Sequence, residues 1–208
     1  MTTKPLDLYK KYHADRDDER LGLFQALVEQ FEIRSALYPG SYVHVTPSFV
    51  FPRVVYADMM PEAKDFYASE EVRRFVERRK LYPEQPEFSF HLGDYRQGLD
   101  MPKNSVDLLI SQYAGFVSQA CKGYLKPGGL LVANNSHGDA GMANLDDEFK
   151  LVAVYNRRGD KFSLSDKDLD GYFIPKQDME ITRQYLEELG RGVGYTKSAA
   201  GYLFEKVV

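Results

Sequence analysis

Apolar positions along the chain fall into short blocks of two periods. Val54-Val55-Tyr56-Ala57, Val106–Ile110 and Leu130–Ala133 are near-continuously apolar, the pattern of strands covered on both faces of a parallel sheet. Ser35–Tyr38 is a similar short run closed by Pro39-Gly40-Ser41, and Phe88-Ser89-Phe90-His91-Leu92 alternates before a Gly93-Asp94 turn. Between these blocks the period lengthens. Leu23, Phe24, Leu27, Val28 and Phe31 share one helical face, with Asp17 or Asp18 placed to cap it. Thr46-Pro47 opens a short helix that Pro52 ends. Pro61 to Leu81 predicts a helix with Val72, Phe75 and Val76 inward, and a helix around Asp178–Leu189 carries Ile181, Tyr185, Leu186 and Leu189.

The stretch SVDLLISQYAGFVSQACKGYLKPGGLLVANN is the most informative. It reads as strand, helix, strand, the helix being stopped by Pro127 and two glycines. Phe149–Tyr155 and Gly201–Val207 add strands near the C-terminus. The order predicts an α/β fold: a Rossmann-like doubly wound sheet, mostly parallel with an antiparallel C-terminal strand. A polar N-terminal segment, loosely held, is expected over residues 1–17 and a single α/β domain over 18–208, a length that suits one core. Such sheets bind ligands at the carboxyl ends of their strands.

Composition narrows the partners. A net charge of −4 argues against nucleic acid. Arg73, Arg74, Arg78, Arg79 and Lys80 interleave with Glu70, Glu71 and Glu77, so that face pairs with itself at helical spacing. Cys121 is the sole cysteine, which excludes an intramolecular disulfide and any multi-cysteine metal site, and its place in the amphipathic segment suits a small core residue. No H-x-x-x-H spacing occurs among the four histidines, so no metal is expected. No apolar run approaches the ~20 residues of a membrane span, and MTTKPLDLYKKYHADRDDER lacks a signal-peptide core, so a cytoplasmic location is expected. The chain has 15 Tyr and 13 Phe, which core packing explains, so no substrate is read from them.

The order of elements resembles the class I S-adenosylmethionine-dependent methyltransferase family over roughly residues 18–207. LKPGGLLVANN is similar to the L-x-P-G-G that leads into that family's fifth strand, and VDLLISQYAGF to its fourth strand and following loop. The resemblance implies S-adenosylmethionine as cofactor and a small-molecule methyl acceptor. Asp58, closing VVYAD, looks like the acidic residue that holds the cofactor ribose, and Asp94, in HLGD, like the one that contacts adenine. A strand-end carboxylate accepts both donors of a ribose diol; the alternatives are that Asp58 caps the next helix and that Asp94 sits in a plain turn. The family's first motif is a glycine-rich G-x-G-x-G turn, whereas here ALYPGSYVH offers Gly40 alone, with Ser41 as a donor to the cofactor's carboxylate. Tyr38 and Tyr42 are bulky for a place where ligand meets backbone.

Ser111, Gln112 and Tyr113 follow the fourth strand, near the transferable methyl in this fold. Ser111 and Gln112 are grouped with the residues that hold cofactor, and Tyr113 packs against a sulfonium or acceptor; the alternative is that the three start the following helix. Asn134-Asn135-Ser136-His137-Gly138-Asp139 follows the fifth strand, with His137 the candidate general base. His44 lines a pocket or forms a hydrogen-bonded wall, and His91 is structural. The reading is therefore a small-molecule methyltransferase. The alternative is a non-catalytic methyltransferase-like binding module that has lost or altered the cofactor site. A nicotinamide enzyme is disfavoured, since no G-x-G-x-x-G occurs.

Overall fold

A computed structural model of the chain describes residues 5–14, 20–159 and 161–208. The cap expected at Asp17 or Asp18 lies outside the described residues. The chain divides into two compact units, Met1–Leu99 and Asp100–Val208.

In the first unit the apolar blocks become β1 (Ser35–Pro39), β2 (Arg53–Asp58) and β3 (Glu87–Leu92), all parallel in the order β3-β2-β1. Every residue of β1 is buried, in keeping with its apolar run from Ala36 to Tyr38. Tyr56 lies at the centre of the unit, fully buried, its hydroxyl 2.6 Å from Ser48 Oγ. The segment expected to be polar and loosely held contains a helix, α1 (Pro5–Tyr12). Its Tyr9 is fully buried, 2.9 Å from Thr46 Oγ1 through its hydroxyl, with its ring edge-on to Phe49 and Phe75. Leu6 and Tyr9 are too few apolar residues to announce a helical face, which is why the pattern missed it. A second helix, α2 (Leu21–Val28), buries Leu23, Phe24 and Leu27.

The helix expected from Pro61 to Leu81 is two helices, α3 (Pro61–Ala68) and α4 (Glu70–Arg79). Ser69 between them is extended, and its Oγ accepts from Glu71 N at 3.2 Å, so it caps α4 rather than continuing α3. At Thr46-Pro47 the helix is a 3-10 turn over Thr46–Phe49 with Val45 at its cap. Thr46 is the first residue inside the turn rather than its cap, and its hydroxyl pairs with that of Tyr9.

The second unit contains β4 (Val106–Ser111), α5 (Val117–Cys121), β5 (Leu125–Ala133), α6 (Asp139–Asn144), β6 (Phe149–Arg158), β7 (Lys161–Ser165), α7 (Arg183–Leu189) and β8 (Gly201–Lys206). The strand order is β4-β5-β8-β6-β7, with β4 and β5 parallel and the later pairings antiparallel. The expected stop at Pro127 is displaced: α5 ends at Cys121, a 3-10 turn covers Lys122–Tyr124, and LKPGG lies inside β5. Leu125 pairs with Val106 and Leu130 with Leu108, so Lys126–Gly129 bulges out of the ladder. Pro127 has no N–H to donate and Gly128 takes φ 76°, both of which favour a bulge. Cys121 is buried, and burial pushes its thiol up to about 12.

Lys206 is buried in β8. Its ammonium donates to Leu125 O (2.9 Å), Lys122 O (3.1 Å) and Asn104 Oδ1 (3.2 Å), which satisfies the charge with oxygen dipoles. The fold class is α/β, a Rossmann-like doubly wound arrangement of mostly parallel strands with antiparallel strands at the C-terminus.

Candidate functional site

Three parallel strands of the first unit end at one edge, and the sequence-derived candidates Gly40, Ser41, Asp58 and Asp94 all follow those ends. Gly40 turns the chain after β1 with φ 68° and donates its N–H to Ala57 O at 2.7 Å. Tyr42, two residues on, also has positive φ (45°), where a side chain is strained. Its N–H donates to Asp58 Oδ2 at 2.8 Å, while Asp58 Oδ1 accepts from Met60 N at 3.0 Å. One carboxylate thus fastens the loop after β1 to the end of β2 and steadies the entry to α3. An ionised carboxylate has about four lone-pair sites, so two stay available to another donor pair.

Ser41 points inward. It is 2% exposed, and its hydroxyl acts on the buried Tyr67 phenol, opposing the effect of burial there. Tyr67 is stacked between Tyr56 (4.3 Å) and Phe90 (5.0 Å), and burial holds its phenol well above the ordinary range. Asp94 accepts from Arg96 N at 2.9 Å and pairs bidentately with the Arg96 guanidinium, which holds its carboxyl below the ordinary range. Its side chain therefore already has a turn role. His44 is a wall residue, 1% exposed, with Nδ1 3.2 Å from the Tyr38 hydroxyl.

In the second unit the ends of β4 and β5 carry a buried polar network. Ser111 donates to Asp139 Oδ2, and the Ser118 hydroxyl donates to Oδ1. Ser118 N–H donates to Oδ2 at 3.0 Å, so both carboxylate oxygens of Asp139 are bonded. Burial pushes Asp139 up to about 6, against the opposing hydrogen bonds from Ser111 and Ser118 and the nearby His137. Because the Ser111 proton is directed to Asp139, the serine oxygen is left as an acceptor. Gln112 Oε1 accepts from Asn134 Nδ2 at 3.0 Å, and Asn134 Oδ1 accepts from the Ser136 hydroxyl at 2.6 Å. Ser111 and Gln112 are both buried, whereas Tyr113 (φ 60°) and His137 are exposed.

Sequence reasoning passed over Asp139 as one more polar residue of the loop. A weak signal existed: Gly138 adopts φ 86°, and the Gly-Asp pair opens α6, whose first five residues are all buried. It also passed over Gly190-Arg191-Gly192-Val193-Gly194. A Cβ at Gly192 would collide with the Asn135 carbonyl, and Asn135 Nδ2 donates to Val193 O at 3.1 Å. This run therefore packs directly on the loop that follows β5.

No protein-family model matches the chain, and no curated protein does. Solved structures match most of it. The O-methyltransferase from Bacillus cereus in complex with SAH is 12% identical with a TM-score of 0.51, over 79% of this chain and 89% of that one. The O-methyltransferase TomG from Streptomyces achromogenes is 13% identical with a TM-score of 0.51, over 79% and 88%. The complex between the Haloferax volcanii Trm112 methyltransferase activator and a methyltransferase gives a match over 98% of this chain and 95% of that one, at 17% identity and a TM-score of 0.51. The chain has a class I S-adenosylmethionine-dependent methyltransferase-like fold. Among the described residues no helix is long and apolar enough to cross a membrane.

Proposed function

We propose that the protein is an S-adenosylmethionine-dependent methyltransferase acting on a small molecule. The observation that carries this reading is Asp58: a carboxylate at a parallel strand's end, holding the loop after β1 through Tyr42 N–H at 2.8 Å and retaining lone pairs for two more donors. A ribose diol fits those lone pairs, and Gly40 at φ 68° leaves no side chain over the turn, so the residues suit the cofactor. Asp58 and Gly40 would hold it, with Asp94 and Ser41 as further candidates on the same edge. The cofactor, when bound, supplies an electrophilic methyl group. Tyr113 and His137, both exposed, would face the acceptor, His137 as the group that removes a proton where the acceptor carries one. Ser111 offers an oxygen lone pair backed by the Asp139 carboxylate. A net charge of −4 favours a small acceptor over nucleic acid.

One observation favours a second reading, a methyltransferase-like binding module. Tyr42 stands where a glycine-rich turn would place glycine, and the Ser41 side chain is buried away from solvent. Turnover separates the two readings. The purified chain is incubated with methyl-labelled S-adenosylmethionine and a panel of phenols, amines and carboxylic acids. Label in a product, lost in Asp58→Ala, supports the enzyme; saturable cofactor binding with no product across the panel leaves the binding module.

A further inference from the structure

Between α7 and the segment 174–176 the second unit has a cavity of about 370 Å³, within the size range of small-ligand pockets. Its apolar lining comes from Ile181, Tyr185, Leu189 and Val193. One wall is a short antiparallel ladder: Lys176 N donates to Gly194 O at 3.0 Å, Thr196 N to Ile174 O at 2.8 Å, and Pro175 bridges Tyr195. The same wall is fastened to the loop after β5, where Gly192 N donates to Ser136 O at 3.4 Å and Asn135 Nδ2 to Val193 O at 3.1 Å. The cavity therefore shares a wall with the loop that carries His137.

The charge around the cavity is one-sided. Its charged lining residues are Lys176 and Arg191, and among the described residues neither has an ion-pair partner. The adjoining smaller cavity, about 240 Å³, is lined by Glu180 and no cation. An anion is thus attracted by Lys176 and Arg191 of the larger cavity and repelled by Glu180 of the smaller one, which sets a direction for an elongated guest. We propose that this groove binds a small amphipathic carboxylate, a single ring or short aliphatic body with one anionic group, its charge between Lys176 and Arg191 and its body against Ile181 and Leu189. Naming this guest the methyl acceptor rests on the methyltransferase reading; its binding does not.

The test is isothermal titration of the full chain with 3-phenylpropanoate and with the neutral 3-phenylpropanamide. The carboxylate is expected to bind at least about fivefold more tightly than the amide, the effect of roughly one exposed ion pair. In a Lys176→Ala/Arg191→Ala double variant that preference should vanish while the amide affinity stays. Equal binding of the two compounds to the unaltered chain, or no binding of either at millimolar concentration, overturns the proposal without depending on any variant. S-adenosylmethionine is titrated in parallel. A chain that takes the carboxylate but not S-adenosylmethionine keeps the groove and loses the methyltransferase reading, and the reverse result does the opposite.

Discussion

At the scale of single residues the most consequential group is Asp139, a carboxylate 2% exposed that two serines and a backbone N–H surround. Its pKa is about 6 in the fold against 3.8 for an unperturbed aspartate. Between those values the folded chain binds the extra proton, so this site's contribution to stability falls as pH rises through the window and stays low above it. The difference corresponds to about 3 kcal/mol. Urea unfolding of the protein and of Asp139→Asn at pH 4 and pH 7 checks this: relative to the variant, the protein should lose about 2 kcal/mol of stability between the two pH values, part of the effect being already present at pH 4. A constant difference between the two pH values would contradict the assignment. The place of Asp58 at the end of β2 was legible in the sequence because a lone acidic residue closes an apolar run. Asp139 was not, since its burial depends on Ser111 and Ser118, 28 and 21 residues away in the chain. Asp94 was legible as a turn, but its pairing with Arg96 was not drawn from the pattern.

Elements show a similar division. Strands β1, β2, β4 and β5 were legible as near-continuous apolar runs, because the apolar part of each is mostly buried. Breaks within periodic segments were less visible. Ser69 interrupts an otherwise continuous helical pattern through a single cap hydrogen bond, and Lys126–Gly129 bulges from a strand where proline and glycine suggested a helix stop. The hairpin strand β7 was missed because Lys161–Ser165 is short and none of its residues is fully buried. The glycine run after α7 is an element with a testable role. Its contact with Asn135 leaves no room for a methyl group, so Gly192→Ala must displace either the run or the loop after β5. A cost of about 1–3 kcal/mol is expected, read as a lowered urea midpoint, together with weaker 3-phenylpropanoate binding. An unchanged midpoint would mean that the run and the loop do not pack as described.

For the molecule as a whole, the succession of apolar runs and helical faces was enough to identify the fold class, because that succession is what a doubly wound sheet requires. The same fold in O-methyltransferases at 12% and 13% identity shows how little side-chain detail the architecture needs. Function depends on fewer positions, and here the turn after β1 has one glycine, a buried serine and a strained tyrosine. The proposed function requires that this turn and Asp58 hold S-adenosylmethionine. Isothermal titration with S-adenosylmethionine and S-adenosylhomocysteine, on the protein and on Asp58→Ala and Asp58→Asn, tests it directly, with thermal unfolding to confirm that each variant is folded. The expected result is micromolar binding of both ligands, weakened more than about tenfold by Asp58→Ala and less by Asp58→Asn, which keeps one acceptor oxygen. No binding at millimolar ligand, or binding that folded Asp58→Ala leaves unchanged, would contradict the account.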